Sequence, residues 1–248
     1  MSWNSRVVWS EGMFLRPQHF QQQERFLEYL VQNRSANLTP CSWGFTELKI
    51  DRQLLSLGTL ALERCRGVLS DGTVFDVPDS DDPPPPLEIP ADTKEAVVAL
   101  GLPLFRPGTS SMRYGGQEEG LERYQVSEID VKDGNSGSTK TSALQIAKPT
   151  LRLLTDKADR DEFAHLGIAR VVERRPDNTL VLDEHYIPTC LDSRVSPRLM
   201  GFVKEIEGLL HHRGEALAAR LSDTAQGVGE ITDFMLLQVV NRFEPLLA

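Results

Sequence analysis

The run Trp9-Ser10-Glu11-Gly12-Met13-Phe14-Leu15-Arg16-Pro17-Gln18-His19-Phe20-Gln21 decides how the rest of this chain is interpreted. It concentrates three aromatic side chains, a Met and a Leu, without any arrangement typical of a catalytic site. Pro17 suits the first turn of a helix, where a backbone N–H would have no partner anyway. Phe20, Leu27, Leu30 and Val31 continue the pattern of an amphipathic helix. So apolar a run near a terminus must be buried, either by the chain's own core or by another protein.

The composition is that of an ordinary soluble globular protein. The chain has 248 residues, of which 40% are hydrophobic and 25% charged, enough for one large domain or two modest ones. A net charge of −9 argues against a general nucleic-acid binder, which needs a basic face to replace phosphate counterions. No apolar run approaches the ~20 residues that span a bilayer, and the N-terminus lacks the layout of a signal peptide.

The middle of the chain has the patterns of antiparallel β structure. Asp71-Gly72 favours a tight hairpin turn, and the apolar run 96–102 predicts a strand buried on both faces. The eight strand candidates are residues 47–50, 59–63, 96–102, 128–131, 144–146, 151–154, 168–172 and 180–182. Because no regular helices intervene, their spacing predicts an antiparallel sandwich or barrel.

Two loops interrupt this β region. Residues 79–86 end in four prolines, which cannot donate ladder hydrogen bonds and predict an extended segment. A stiff surface loop is the favoured interpretation, and a proline-rich ligand for another domain is the alternative. Residues 132–141 are rich in Gly, Ser and Thr and predict a flexible hairpin tip.

The pattern changes at Ser196-Pro197, a cap residue followed by a proline, which is typical of a helix start. Apolar residues then recur at steps of three, four or seven and predict one seam along a helix of about seven turns. The seam consists of Leu199, Val203, Ile206, Leu210, Leu217 and Leu221. Gly227 and Gly229 predict the end of this helix, and a second helix is predicted from Glu230. Its apolar face, from Ile231 to Phe243, is broad enough to need more than one neighbour.

Catalytic and metal-binding motifs are missing from the sequence: no phosphate loop and no nucleophile elbow occur. His211 and His212 are adjacent, so on a helix they diverge by about 100° and predict an exposed polar face, not a metal site. Asp183-Glu184-His185 resembles an acid–base cluster, but neighbours on a strand face opposite ways. Cys41, Cys65 and Cys190 are widely spaced and are predicted to be buried thiols in a reducing cytoplasm.

Four side chains of the opening run allow more than one interpretation. His19 is either a hydrogen bonder that locks the run onto a sheet or a partly exposed helix residue; a catalytic base is disfavoured, since no partner group accompanies it. Trp9 and Phe20 are expected to plug the end of the sandwich. For Phe14, and for Met13 beside it, burial in the core and contact with another chain both stay open.

The run also resembles the N-terminal signature of the TssK family, the type VI secretion baseplate proteins also called ImpJ or VasE. Further resemblances follow in the same order: Trp43-Gly44-Phe45 through Leu48, the turn from Gly67 to Asp76, Tyr186-Ile187-Pro188, and the helical stretch from Leu199 to Leu247. The resemblance covers essentially the whole chain. Family members are considerably longer, so the sequence corresponds to their N-terminal half, with the C-terminal head domain absent.

The resemblance implies a mainly β plus α fold. Residues 1–192 would form an antiparallel β-sandwich "shoulder" with an N-terminal helix, similar to phage receptor-binding proteins, and residues 193–248 a helical-bundle "neck". It also implies a cytoplasmic homotrimer at the inner-membrane-docked baseplate, whose N-terminal part attaches to the wedge proteins TssF and TssG. The absent C-terminal part would contact TssL and TssM. No enzyme activity, cofactor, metal or nucleic acid is implied.

These implications assign roles to two sets of residues. The predicted partner-binding set is Trp9, Met13, Phe14, Pro17, His19 and Phe20, and the seam Leu199 to Leu221 is the predicted oligomerisation surface. One alternative is a carbohydrate- or peptide-binding β-sandwich that uses the loops 79–86 and 132–141, although only Phe75 and Tyr124 lie near them. Another is a hydrolase with a site around His185, which lacks clustered titratable residues.

Overall fold

The computed structural model describes residues 4–106, 108–115, 120–135, 140–223 and 228–247. The chain divides into two compact units between Asp192 and Ser193. The first unit contains nearly all of the β structure, and the second consists of helices. The division falls close to Ser196-Pro197, where the sequence pattern changes from strands to helices.

The first unit has two helices and twelve strands in its described part. In chain order they are α1 Pro17–Ser35, β1 Gly44–Ile50, α2 Arg52–Leu55, β2 Thr59–Leu60, β3 Leu62–Val68, β4 Val74–Val77, β5 Leu87–Glu88, β6 Lys94–Pro103, β7 Met112–Arg113, β8 Tyr124–Lys132, β9 Thr141–Pro149, β10 Arg152–Leu154, β11 Phe163–Arg174 and β12 Leu180–Leu182. All eight strand candidates fall in or overlap these strands. The fold class of antiparallel β structure followed by helices is therefore confirmed.

The strands are divided among four small sheets. Their orders are β1-β3-β4, β10-β6-β11-β12, β2-β5 and β7-β8-β9. Every pairing is antiparallel except β7 with β8. Phe45 also forms an isolated bridge to Cys190, which ties the end of the first unit back to β1.

The buried side chains come mainly from the two larger sheets that contain β3 and β6. Consecutive residues from Val98 to Pro103 on β6 are all buried. Because successive side chains on a strand point to opposite faces, β6 is covered on both sides, as its apolar run predicts. Phe45 and Phe75 meet edge to face, with ring centroids 5.7 Å apart, and both are fully or almost fully buried.

Residues 79–86, and the described residues on either side of the predicted tip in 132–141, are mostly exposed. Arg64 and Lys148 form ion pairs with Asp79 and Asp82, while Pro84 is buried. The tip between β8 and β9 begins after the Lys132–Thr141 pair, and its residues 136–139 lie outside the described part of the chain.

The second unit is a pair of helices, α3 Pro197–Asp223 and α4 Val228–Phe243. Ser196 is buried, and its Oγ accepts from the Leu199 N–H at 3.4 Å, so the predicted cap is confirmed. Contacts of Gly214 with Val240 and of His211 with Glu244 show that the helices run antiparallel. A Cβ at Gly214 would lie 3.2 Å from Val240 Cγ1, so this glycine permits close approach.

The predicted start of the second helix was two residues late. Helix α4 begins at Val228, so Gly229 lies inside a helix and does not end one. Gly227 lies outside the described residues. Glycine is costly but tolerated within a helix when packing stabilises the element, which explains why it was a poor boundary marker here.

Candidate interaction surfaces

The opening run folds back on its own helix. Pro17 occupies the first helical position, as predicted, and the Arg16 N–H donates to His19 Nδ1 at 3.0 Å. This bond satisfies a backbone N–H just before the helix, so His19 acts as a helix cap. The hypothesis that His19 locks the run onto a sheet is wrong, because its side chain bonds the backbone of its own helix entry.

Trp9 packs on the same helix end. Its ring centroid lies 6.3 Å from that of His19 and 6.4 Å from that of Phe20. Trp9 nevertheless stays 51% exposed and Phe20 58% exposed. The expectation that these two rings plug the end of the sandwich is therefore wrong. Phe45 and Phe75 are the large aromatic side chains that fill the core of the first unit.

Phe14 is the most exposed aromatic side chain of the run. Gly12 adopts a φ of +77°, a left-handed conformation that favours glycine, and the Met13 N–H donates to the Ser10 carbonyl. The turn leaves Met13 half-buried and Phe14 82% exposed. Between the two interpretations of Phe14, the structure excludes burial in the chain's own core.

Helix α1 contacts other parts of the first unit through side chains on two of its sides. On one side Gln22 Nε2 donates to the Ser5 carbonyl at 2.7 Å, and Arg6 lies over the Phe26 ring. On the other side Gln32 lies against Gly72, where any Cβ would collide with its side chain. None of the nineteen residues of α1 is buried. An unsupported helix of this length is marginal in water, so its exposed apolar side chains are a candidate partner surface.

The turn beneath α1 is organised by Arg123, which sequence reasoning missed. Asp71 and Gly72 form the predicted hairpin turn, and the Asp71 carboxylate accepts the Thr73 N–H. Arg123 is only 5% exposed and donates to Asp71 Oδ2 at 2.5 Å, to Thr73 Oγ1 and to the Pro103 carbonyl. A single arginine far away in sequence carries no signal of this role, because only the fold brings it to the turn.

An open depression of about 450 Å³ lies along α1. It is lined by Phe20, Gln23, Glu24, Leu27 and Glu28. Partial burial, followed by the nearby Glu24 carboxylate, raises the pKa of Glu28 above its ordinary value. The depression therefore combines apolar side chains with two carboxylates.

The predicted seam on α3 is only partly used within the second unit. Leu217 is fully buried and lies one turn from Gly214, where α4 approaches, so it packs within the helix pair. Leu199, Val203, Leu210 and Leu221 are half-buried, and Ile206 is 48% exposed. The N-terminal part of the seam, from Leu199 to Leu210, is thus the part that another chain can cover.

Helix α4 presents apolar side chains on several sides. Val240 is buried against α3, whereas many others remain exposed. The exposed set is Ile231, Phe234, Met235, Leu236, Val239 and Phe243. One neighbouring helix does not cover so broad a face, in agreement with the pattern of the sequence.

No side-chain group in the described ranges of the chain is arranged for metal binding. His211 and His212 are exposed; His211 Nδ1 lies 2.8 Å from Glu244, and this hydrogen bond, with help from Glu215, raises the pKa of His211. Asp183 accepts the His185 N–H and lies 3.5 Å from Arg170, so it stabilises a turn.

The cysteines differ from one another in burial. Cys65 is buried, and desolvation raises the pKa of its thiol to about 12. Cys190 is half-buried, and burial also raises its pKa. Cys41 is exposed, so the prediction that all three are buried thiols is wrong. Cys41 lies between the turn that follows α1 and the start of β1.

Within the residues that the structure describes, no helix is both long enough and apolar enough to cross a bilayer.

Known proteins are similar to this chain in sequence and in fold. A family model described as "Bacterial Type VI secretion, VC_A0110, EvfL, ImpJ, VasE" matches residues 19–248. The type VI secretion system baseplate component TssK1 of Pseudomonas aeruginosa is 49% identical over 247 residues, which are 99% of this chain and 56% of that protein. The chain thus spans about half the length of this curated relative.

Two solved structures extend the comparison. A crystal structure of TssK superposes with a TM-score of 0.83 at 38% identity and covers 98% of this chain and 55% of the other. A chain of the TssK–TssF–TssG baseplate subcomplex, solved by cryo-electron microscopy, superposes with a TM-score of 0.80 at 25% identity. That match covers 98% of this chain and 79% of the other.

Proposed function

Since the chain belongs to the family of type VI secretion baseplate components that includes TssK, ImpJ and VasE, we propose that it is the wedge-facing part of a structural baseplate adaptor. Its role is mechanical: it holds the baseplate wedge, and we assign the link to the membrane complex to the part of its relatives that this chain does not span. The family is one of structural baseplate components.

The observation that carries this proposal is the exposed N-terminal surface. Residues 9–20 and helix α1 present large apolar side chains to solvent although the unit has a well-filled core. Contiguous exposed apolar patches mark protein interaction sites. We assign this surface to the wedge proteins TssF and TssG, because a similar chain is present in a solved TssK–TssF–TssG subcomplex. The contact set is Trp9, Met13, Phe14, Pro17, His19 and Phe20.

The helical unit supplies the proposed self-association. Exposed Ile206 and Phe202 on α3, together with the broad apolar face of α4, exceed what one helix pair can bury. A closed ring of three copies would cover these faces with the neighbouring copies, through one heterologous contact repeated around the three-fold axis. The second unit is therefore proposed as the neck of a homotrimer, and the first as its shoulder.

We assign contact with the inner-membrane proteins TssL and TssM to the part of the longer relatives that this chain does not span. This chain spans 56% of the length of its Pseudomonas relative, and its own residues are not proposed to touch those proteins. The location that follows is the cytoplasmic side of the inner membrane, at the docked baseplate.

A carbohydrate- or peptide-binding module is the weaker candidate. Such a site uses exposed aromatic rings, and the two rings nearest the predicted recognition loops do not offer them: Phe75 is buried and Tyr124 is half-buried. The N-terminal run and α1 carry the exposed rings Trp9, Phe14, Phe20 and Tyr29, and further exposed rings of the first unit are Trp43, Phe105 and Tyr114.

Binding to TssF–TssG of the same organism tests the proposal. Phe14→Ala removes an exposed ring and is expected to cost about 2 kcal/mol or more, roughly thirtyfold in Kd, if Phe14 fills a pocket on the wedge. Leu57→Ala is the matched control, because Leu57 is also exposed but lies outside the N-terminal surface. Wild-type protein that captures no TssF–TssG would refute the wedge assignment.

A further inference from the structure

The hairpin of β8 and β9 is exposed on both of its faces. Tyr124–Lys132 pairs with Thr141–Pro149 in an unbroken antiparallel register. Among the described strands, only Met112–Arg113 joins this pair, at the base of the hairpin. Beyond the base, every residue in 128–132 and 141–145 is exposed, whichever face its side chain occupies. An isolated two-stranded hairpin is marginally stable in water, so we expect another chain to cover this one.

The two faces of the hairpin differ in polarity. Residues that pair across an antiparallel ladder lie on the same face, so Ile129, Val131 and Leu144 share one face. These three side chains are 40%, 37% and 49% exposed, in that order. The opposite face carries the exposed carboxylates of Glu128 and Asp130. This pattern predicts that the apolar face is the covered face.

Both long edges of the hairpin are open over the same stretch. Within the part of the chain that the structure describes, the backbones of residues 126–132 and 141–147 pair only with each other. An open strand edge binds another strand through its backbone N–H and C=O groups. The geometry of the hairpin therefore calls for strands on two sides, and a single added strand would leave one edge open.

Charge decides which edges can meet. The β8 edge carries Glu128, Asp130 and Lys132, whereas residues 141–147 on the β9 edge include no charged side chain. If two copies paired β8 with β8 about a two-fold axis, the carboxylates of Glu128 and Asp130 would lie near one another, which is unfavourable. Pairing the β8 edge of one copy with the β9 edge of the next brings no like charges together.

We propose that three copies of the chain pair β8 of one copy with β9 of the next and close a six-stranded antiparallel barrel, an inference that rests on the homotrimer of the proposed function. A three-fold axis along the hairpins keeps the three β8 strands parallel to one another. Each β9 then lies antiparallel to both of its β8 neighbours, as closure requires. The barrel leaves no edge open and turns Ile129, Val131 and Leu144 inward. A strand of a wedge protein is the disfavoured occupant, because it covers only one edge.

Spin labels on the outer face test this arrangement in the full chain. Gln145→Cys places a label opposite Glu128 in a Cys41→Ser background, and the labelled background without Gln145→Cys corrects for the remaining cysteines. Six strands about 4.8 Å apart and tilted by about 40° enclose a radius of about 6 Å. Outward-pointing labels on the three copies should therefore lie about 20 to 30 Å apart in pulsed electron paramagnetic resonance.

Substitution of the apolar face provides the matched comparison. Ile129→Lys with Leu144→Lys should abolish the short distance, because three pairs of lysines cannot share a dry interior. Leu57→Lys with Val74→Lys is the control, since it adds the same charge at exposed apolar positions outside the hairpin. The control should keep the distance.

The outcomes separate this inference from the proposed function. A trimeric mass in light scattering with a narrow distance of about 20 to 30 Å supports the barrel. A trimeric mass without that distance would overturn the barrel and leave the homotrimer standing, whereas a monomeric mass well above micromolar concentration would overturn both. Slower hydrogen exchange in residues 141–147 only after addition of TssF–TssG would show that a wedge strand covers the edge, and would also overturn the barrel. The distance and the mass are measured with the apolar face intact, so neither depends on the folding of the lysine variant.

Discussion

Replacing Arg123 by Met is expected to destabilise the first unit by about 2 to 4 kcal/mol. Met keeps much of the apolar stem but removes the donors to Asp71 Oδ2, Thr73 Oγ1 and the Pro103 carbonyl. Removing one partner of a buried ion pair costs about 3 to 5 kcal/mol, because the other charge stays uncompensated. Asp71 is 26% exposed and keeps the Thr73 N–H as a donor, which lowers the expected cost.

Urea unfolding followed by tryptophan fluorescence measures this change. All three tryptophans precede residue 44, so the signal reports the first unit. The control is Lys49→Met, which removes a surface ion pair with Glu63 at 2.6 Å and should change the free energy of unfolding by less than about 0.5 kcal/mol.

A double-mutant cycle with Asp71→Asn locates the effect. The coupling free energy between Arg123 and Asp71 should exceed about 1 kcal/mol, since contacting charged residues are strongly non-additive. If Arg123→Met does not fold, Asp71→Asn and Thr73→Val alone give the milder comparison against Lys49→Met. If the Arg123→Met protein is no less stable than the Lys49→Met protein, the hydrogen bonds of Arg123 to Asp71, Thr73 and Pro103 do not stabilise the first unit.

Three further predictions concern the helices and the thiols. Ile206→Glu or Val203→Glu should lower the mass of the oligomer in light scattering before the β unit unfolds, and an unchanged mass would refute the seam assignment. Glu244, Glu215 and Glu207 face His211 and raise its pKa, so protonated His211 stabilises the helical unit. This contribution is fully present below the unfolded pKa of about 6.5 and should be lost as pH rises through the folded pKa. His211→Gln should remove this pH dependence of the melting temperature. With Ellman's reagent at pH 8, Cys41 should react at once, whereas Cys65, with a pKa of about 12, should react only on unfolding; equal rates would contradict the burial of Cys65.

Local sequence patterns were sufficient for most of the fold. The unbroken apolar run of β6, the Asp71-Gly72 turn and the Ser196-Pro197 cap each specify their structure through neighbouring residues, and the structure confirms them. The resemblance to the TssK family is likewise confirmed. What the patterns did not specify was how strands divide among four small sheets, because that depends on pairing between distant segments.

The direction in which single side chains point was harder to predict. Large apolar residues are usually buried, which predicts core positions for Trp9 and Phe20, yet the run folds onto α1 and leaves both rings exposed. Cys41 was misplaced for the same reason. The role of Arg123 has no local sequence signal because its three acceptors come from two distant segments. Each case depends on tertiary contacts that a single sequence does not display.

Hydrogen exchange of the chain with and without TssF–TssG tests the central claim most directly. Backbone amides that become covered by a partner exchange more slowly, so the method maps the contact without substituting any residue. We predict that TssF–TssG slows exchange in residues 9–31, while the loops 79–86 and 132–141 exchange at unchanged rates. Slower exchange in those loops, with none in residues 9–31, would contradict the assignment of the N-terminal run and α1 as the wedge-binding surface.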